Sequence, residues 1–157
     1  MKKLFVIFPI LILFLNACQM EPEINLTPLE IQSMQTRNYD KGKEIVFPSV
    51  MSVFQDLGYS IKTGDKNTGL ITAESTTKSN AAMKIWLGIT EVSQTTADAF
   101  IEEINGRTQV RINFINVVKQ SSGYGQSDRQ DKQILDPAPY QNAFEKIENA
   151  IFVRSGS

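Results

Sequence analysis

The dipeptide Asn105-Gly106 constrains this chain more than any other feature, because it lies between two runs of alternating apolar and polar residues. Asparagine followed by glycine favours a two-residue type I′ turn, which needs positive φ at both central positions. Such a turn pairs residues whose numbers sum to 211, so Ile101 faces Val110, and on the opposite face Phe100 lies beside Arg111. A shift of one residue would break this separation of apolar from polar side chains. The sequence therefore predicts a β-hairpin of fixed register.

Two other segments have the apolar spacing of helices that bury one face. Within Lys43 to Leu57, the residues that share a face are Val46, Val50, Val53, Phe54 and Leu57, with Phe47 and Met51 beside them. Near the C-terminus the corresponding residues are Tyr140, Ala143, Phe144, Ile147 and Ile151, after the capping residue Asp136. Pro48 leaves two alternatives for the first helix, either a start near Glu44 with proline in the first turn or a kink.

The remaining segments are shorter. Thr27 to Glu30 reads as a capping box for a helix through about Met34, with Leu29 and Met34 facing inward. Residues 35–39 and the alternating runs 59–64 and 70–75 are predicted to be extended, the last two as a hairpin. Residues 119–133 offer almost nothing to bury and are predicted to form an exposed loop.

This order of strand, helix, four strands and helix predicts an α+β fold. The expected architecture is a two-layer β-α-β4-α domain with a mostly antiparallel sheet and two helices packed on one face, because both apolar stripes are then buried at once. The order of elements over residues 35–153 resembles the domains of BamC (NlpB), the lipoprotein of the outer-membrane barrel-assembly machinery. The strings at residues 26–32, 54–59 and 140–147 resemble small uncharacterised proteobacterial lipoproteins, a likeness that implies no activity.

The first eighteen residues have the organisation of a lipoprotein leader. Lys2 and Lys3 precede the apolar run Leu4 to Leu15, which suits a signal peptide and is short for a membrane span. The lipobox of bacterial lipoproteins is similar to the sequence Leu15, Asn16, Ala17 and Cys18. Asn16 departs from the small or β-branched residue that is usual at its position. The alternative to a lipidated Cys18 is an ordinary buried cysteine that follows a cleaved or retained leader.

The lipobox resemblance implies a lipid anchor. It implies that signal peptidase recognises Leu15, Asn16 and Ala17 and cuts before Cys18, which carries a diacylglyceryl group and a further acyl chain such as palmitate. Because Gln19 rather than aspartate follows, the resemblance favours the outer membrane, facing the periplasm, over the inner membrane. Residues 19–26 reach at most ~28 Å, so partners are expected close to the bilayer.

These segments divide the chain. Residues 1–17 are predicted to be the signal peptide and residues 18–34 the lipidated N-terminus, tether and short helix. Residues 35–153 are expected to form a single α+β domain, followed by a tail at residues 154–157.

Composition argues against several functional classes. Loss of Lys2 and Lys3 with the leader leaves 14 basic and 17 acidic residues, a net charge of −3 without a basic run, so no nucleic acid partner is expected. The chain has no histidine and a single cysteine, which removes the commonest general base and thiolate metal clusters. We therefore expect no enzyme activity, no metal and no cofactor apart from the lipid on Cys18.

Three other acidic or glycine-rich features are weak as sites. Glu102 and Glu103 are adjacent in a strand and point to opposite faces, so they cannot act on one atom. Residues 121–125 are glycine-rich but lack the lysine and the spacing of a phosphate loop. Asp128 and Asp131 lack the additional oxygen ligands of a calcium loop.

The apolar segment at residues 81–92 is the strongest candidate for a binding patch. It includes Met83, Ile85, Trp86 and Leu87, and the alternative is a crossover element that closes the core. The sequence favours a non-enzymatic, membrane-anchored envelope lipoprotein that binds a protein near the outer membrane. A small-ligand or lipid-binding domain with a groove between sheet and C-terminal helix is the alternative, and a hydrolase working through carboxylates alone ranks last.

Overall fold

The structure, a computed structural model, describes residues 26–79, 89–122 and 125–156. The helices within these ranges are α1 (Pro28–Gln35), α2 (Lys43–Asp56) and α3 (Pro137–Arg154). The strands are β1 (Thr36–Tyr39), β2 (Tyr59–Asp65), β3 (Leu70–Ser75), β4 (Lys78–Ser79), β5 (Ile89–Ile104), β6 (Arg107–Ser122) and β7 (Ser127–Gln133).

All these strands belong to one antiparallel sheet, and its central order is β1-β6-β5-β3-β2. The short strand β4 pairs with β5 beyond the end of β3, and β7 pairs with β6 beyond the end of β1. The buried faces of α2 and α3 join one side of the sheet in a single apolar core. The predicted α+β class, with an antiparallel sheet and helices packed on it, is therefore confirmed.

The central hairpin has the predicted turn and register. Asn105 and Gly106 both have positive φ, at 53° and 77°, as a type I′ turn requires. Ile101 pairs with Val110, and the same register continues along both strands to the pair of Ile89 and Ser122. The separation of apolar from polar side chains predicted the register near the turn, and the structure extends this register to sixteen consecutive pairs, which include residues 119–122 that were expected to form a loop.

Both helical stripes were also predicted correctly. The five apolar residues assigned to the face of α3 are all buried, and Asp136 caps the helix by accepting from the N–H of Ala138. In α2, Val46, Val50, Val53 and Phe54 are buried, while Leu57 packs at the margin of the core. The helix begins at Lys43, so Pro48 lies beyond its first turn rather than within it.

Two predictions from the sequence were wrong. Residues 119–133 are not a loop, because β6 continues to Ser122 and β7 begins at Ser127, so six strands rather than four separate α2 from α3. Leu29 does not face inward: 74% of its surface is exposed, whereas Met34 packs against the core. Residues five apart on a helix lie about 140° apart, so these two side chains cannot share a face.

The core lies on one side of the sheet only. Along β5 the side chains of Ala97, Ala99 and Ile101 are buried, while the intervening Asp98 and Phe100 point to the opposite side. We call the side opposite α2 and α3 the outer face.

Candidate functional site

The residues that the sequence nominated as sites lie outside the described part of the chain. They are Leu15, Asn16, Ala17 and Cys18 of the lipobox and Met83, Ile85, Trp86 and Leu87 of the apolar patch. Their roles therefore stay predictions.

The acidic residues considered from the sequence are dispersed. Glu102 and Glu103 lie in β5 and so point to opposite faces. In β7, Asp131 accepts two hydrogen bonds of 2.8 Å from Arg129, and Asp128 accepts one of 3.2 Å from Gln130. Within the described ranges, no three acidic, histidine or cysteine side chains are grouped so that they could hold a metal ion.

The outer face carries an exposed apolar pair. Leu70 of β3 and Phe100 of β5 are directly opposite one another, and 50% and 40% of their surfaces are exposed. Ile104 lies further along the same face of β5 and is 42% exposed. Cross-strand neighbours of this kind stabilise a sheet, but here neither α2 nor α3 covers them.

Polar and charged side chains surround that pair. Arg111 of β6 is opposite Phe100, and the adjacent row contains Thr72 and Asp98. An apolar centre with a polar rim is the organisation of protein-binding surfaces. We call Leu70, Phe100 and Arg111 the outer-face patch.

A second candidate is the groove between the edge strand β1 and α3. It has a volume of about 380 Å³ and is lined by Arg37, Asn38, Tyr39, Gln141, Phe144, Glu145 and Glu148. Phe144 forms its apolar floor, and the guanidinium carbon of Arg37 lies 5.1 Å from the centre of that ring, in a cation–π arrangement. We call this feature the β1–α3 groove.

Tyr39 gives this groove an unusual polar group. Its hydroxyl oxygen is buried and has no hydrogen-bond partner among the described residues. Burial raises the pKa of Tyr39 well above its ordinary value, and the negative charge of Glu148 raises it further. The neutral phenol is therefore a hydrogen-bond donor and acceptor whose capacity is unused.

Two other depressions are less distinctive. One of about 620 Å³ lies between α2 and α3 beside Asp56, Lys146 and Arg154. Another of about 400 Å³ lies on β5, β6 and β7 beside Lys119 and Arg129, where Asp131 pairs with the arginine.

The space between the sheet and α3 is filled by side chains. Ile147 is fully buried and Phe144 is 4% exposed, and both belong to the core. Tyr140 fills this space near the N-terminus of α3. Its hydroxyl donates a hydrogen bond of 2.8 Å to the carbonyl of Ile134 and accepts one of 3.3 Å from the N–H of Phe114.

Comparison with known proteins brings no assignment: no family model matches this chain, and no curated protein matches it. Within residues 26–79, 89–122 and 125–156, no helix has the length and apolar character needed to cross a membrane.

These surfaces differ in how far they can be predicted from the sequence. The hairpin register already placed Phe100 on the polar side of the sheet beside Arg111, which is a signal for an exposed aromatic residue. Tyr39 and Glu148 are more than a hundred positions apart, and no local pattern connects them.

Proposed function

We propose that this protein is a non-enzymatic, lipid-anchored envelope protein whose domain binds another protein through the outer-face patch. The observation that carries the proposal is the exposed pair of Leu70 and Phe100 on a sheet face that neither α2 nor α3 covers. Aromatic residues at the centre of a patch supply much of the energy of protein association. Arg111 adds a side chain type that is enriched at such interfaces.

The proposed location follows from the N-terminal sequence. The similarity to a lipobox supports cleavage before Cys18, lipidation of its sulfur and, because of Gln19, the periplasmic side of the outer membrane. Two or more acyl chains hold a protein stably on a bilayer. The partner is then expected to be an envelope protein near that membrane, and Met83, Ile85, Trp86 and Leu87 are a further proposed contact for it.

Affinity purification of the tagged full-length chain in mild detergent, after cross-linking in intact cells, tests this function. We expect a specific envelope protein to be recovered and expect Leu70→Ser with Phe100→Ser to abolish its recovery. The matched control is Leu29→Ser with Phe152→Ser, which removes the same residue types from exposed helix positions outside the patch. Equal recovery with both double variants would contradict the role of the patch.

The anchor is tested separately. We expect metabolic labelling with radioactive palmitate to depend on Cys18 and to be lost in Cys18→Ala. Labelling that survives Cys18→Ala would contradict the proposed lipidation. If deletion of the gene leaves the envelope unaltered and no partner is recovered, the proposed function is wrong.

The alternative, a periplasmic domain that binds a small ligand or lipid between sheet and C-terminal helix, has less support. Phe144 and Ile147 occupy the space that such a ligand would need. A thermal-shift screen against lipids and cell-wall fragments tests it, and a reproducible rise in melting temperature would favour it over the first proposal.

A further inference from the structure

We propose that the β1–α3 groove binds an extended basic peptide segment of a partner protein, which pairs with β1 as an additional strand. This site is distinct from the outer-face patch, so the two proposals can fail independently. Three features of the groove support it: a free strand edge, an uncompensated acidic wall and an unused hydroxyl group.

The first feature is the backbone edge of β1. This strand of four residues pairs with β6 on one side, and among the described strands none pairs with its other side. In an antiparallel ladder, alternate residues of an edge strand direct both N–H and C=O away from the sheet. The carbonyl of Thr36 already accepts a hydrogen bond of 3.1 Å from Nη1 of Arg37. An extended peptide can bond to the remaining edge groups, and the adjacent groove then receives its alternate side chains.

The second feature is the charge of the α3 wall. Glu145 and Glu148 are exposed, lie three positions apart on one side of the helix and have no cation within 4.0 Å among the described residues. The positive charge of Arg37 lies instead over the ring of Phe144, where its Nη1 also donates to two backbone carbonyls. The wall therefore favours lysine or arginine side chains.

The third feature is Tyr39. Tyr39 lines the groove, and its buried hydroxyl has no partner among the described residues, so a bound peptide that displaces the side chains over this hydroxyl can offer it a carbonyl and gain a hydrogen bond. Burial of an unsatisfied polar group costs stability, and a ligand that completes the bond removes that cost.

The charge of the chain's own N-terminal segment makes it a poor occupant. Residues 19–26 contain Glu21 and Glu23 and no basic residue, so they would meet like charges on α3. A basic segment of another protein is the complementary choice.

The test uses a capped peptide of about seven residues in which lysine and valine alternate, a length that covers β1 with overhang. Its matched control replaces each lysine by glutamate. Binding to the full-length chain in mild detergent is followed by calorimetry and by NMR. We expect the basic peptide to bind with a dissociation constant below about 1 mM and to shift β1 signals, and the acidic peptide not to bind.

Variants connect that binding to the groove. Glu145→Gln with Glu148→Gln should weaken binding at least about 3-fold, whereas Glu103→Gln, an exposed carboxylate on β5, should not change it. Tyr39→Phe should weaken binding roughly 2- to 10-fold through the lost hydrogen bond while leaving the fold intact. Equal affinity for the basic and acidic peptides, or no binding below about 1 mM, would overturn the proposal.

Methylation of the peptide backbone tests strand pairing itself. Two isomers carry N-methyl groups on alternate residues, at odd or at even positions, with unchanged charge. Strand addition requires that one isomer binds and the other does not, because only alternate N–H groups face β1. If both bind equally, or if a peptide of residues 19–26 displaces the basic peptide, the proposal is wrong.

Discussion

Removal of one hydroxyl group should have opposite effects at two tyrosines of the same fold. Tyr140 is fully buried, and its hydroxyl bonds to the carbonyl of Ile134 and the N–H of Phe114. The hydroxyl of Tyr39 is also buried but has no partner within the described residues. Tyr140→Phe therefore breaks two bonds, while Tyr39→Phe removes an unsatisfied group.

The position of Tyr140 in the sheet explains why its hydroxyl matters. β1 pairs with β6 up to Arg111 and β7 pairs with β6 from Ile115, so neither strand reaches the edge of β6 at Phe114. The Tyr140 hydroxyl supplies the hydrogen bond that a strand would otherwise make there. Phenylalanine at this position leaves the buried N–H of Phe114 and the partly buried carbonyl of Ile134 without this partner.

The expected magnitudes follow from the cost of unpaired buried groups. Tyr140→Phe should lower the free energy of unfolding by about 1–3 kcal/mol, and Tyr39→Phe should raise it by about 1 kcal/mol. For a domain of this size the melting temperature should fall by roughly 4–12 °C in the first variant and rise by roughly 4 °C in the second.

Thermal and urea unfolding of the full-length chain in the same mild detergent measure these changes. An unchanged dependence of the unfolding free energy on urea concentration guards against an effect on the compactness of the denatured state. A loss of stability in Tyr39→Phe comparable to that in Tyr140→Phe would refute the reasoning, because it would mean that the Tyr39 hydroxyl is already satisfied.

Tyr39→Phe is also expected to change how the stability of the protein depends on pH in alkaline solution. Burial raises the pKa of Tyr39, so the folded protein favours the neutral phenol. That contribution is fully present below about pH 10, the ordinary pKa of tyrosine, and is lost as the pH rises through the pKa of the folded state. Tyr39→Phe should therefore flatten the decline in stability above about pH 10. If the free energy of unfolding falls with pH equally in Tyr39→Phe and in the unchanged protein, this prediction is contradicted.

Two further predictions test local structure and charge. Gly69 has φ +82°, and a Cβ there would lie 2.0 Å from the carbonyl oxygen of Ile101, so Gly69→Ala should cost at least about 3 kcal/mol, whereas Gly106→Ala, with open space around its Cβ, should cost about 1 kcal/mol. Equal losses in urea unfolding would show that the clash relaxes. Arg129 lowers the pKa of Asp131, so the stability this pair contributes is present above about pH 4 and is lost as the pH falls. Arg129→Gln should return the pKa of Asp131 towards its ordinary value in an NMR titration. An unchanged pKa would mean that Arg129 does not lower it.

The sequence predicts most reliably those elements that bury one face and leave the other exposed. The five buried positions of α3 and the register of the hairpin at Asn105-Gly106 both depend on such alternation. In each case the spacing of the apolar residues indicates whether the element is a helix or a strand and which of its faces is buried.

β7 could not be predicted in this way, for a physical reason. The residues Ser127–Gln133 contain no apolar side chain, and six of the seven are exposed. An edge strand of this kind is held by backbone hydrogen bonds to β6. Because such bonds require no particular side chains, the amino-acid composition of the segment does not reveal them. Its charged residues also protect the edge against pairing with other chains.

The β1–α3 groove was beyond sequence reasoning because it depends on tertiary contacts. Arg37 and Phe144 come together only when α3 packs beside β1. Whether the Tyr39 hydroxyl finds a partner depends equally on that packing.

The proposed anchor places a limit on where a partner of this groove can lie. The eight tether residues after Cys18 reach at most ~28 Å, the extended Thr27 adds ~4 Å, and the eight residues of α1, which lead directly into β1, add ~12 Å. β1 would then start within ~44 Å of the bilayer. A partner anchored in the same membrane must therefore present its basic, extended segment within that distance of the bilayer or reach it by a long linker. Lengthening the tether by a flexible insert should relax this limit and leave the affinity for the isolated basic peptide unchanged, because the insert changes reach and not the groove.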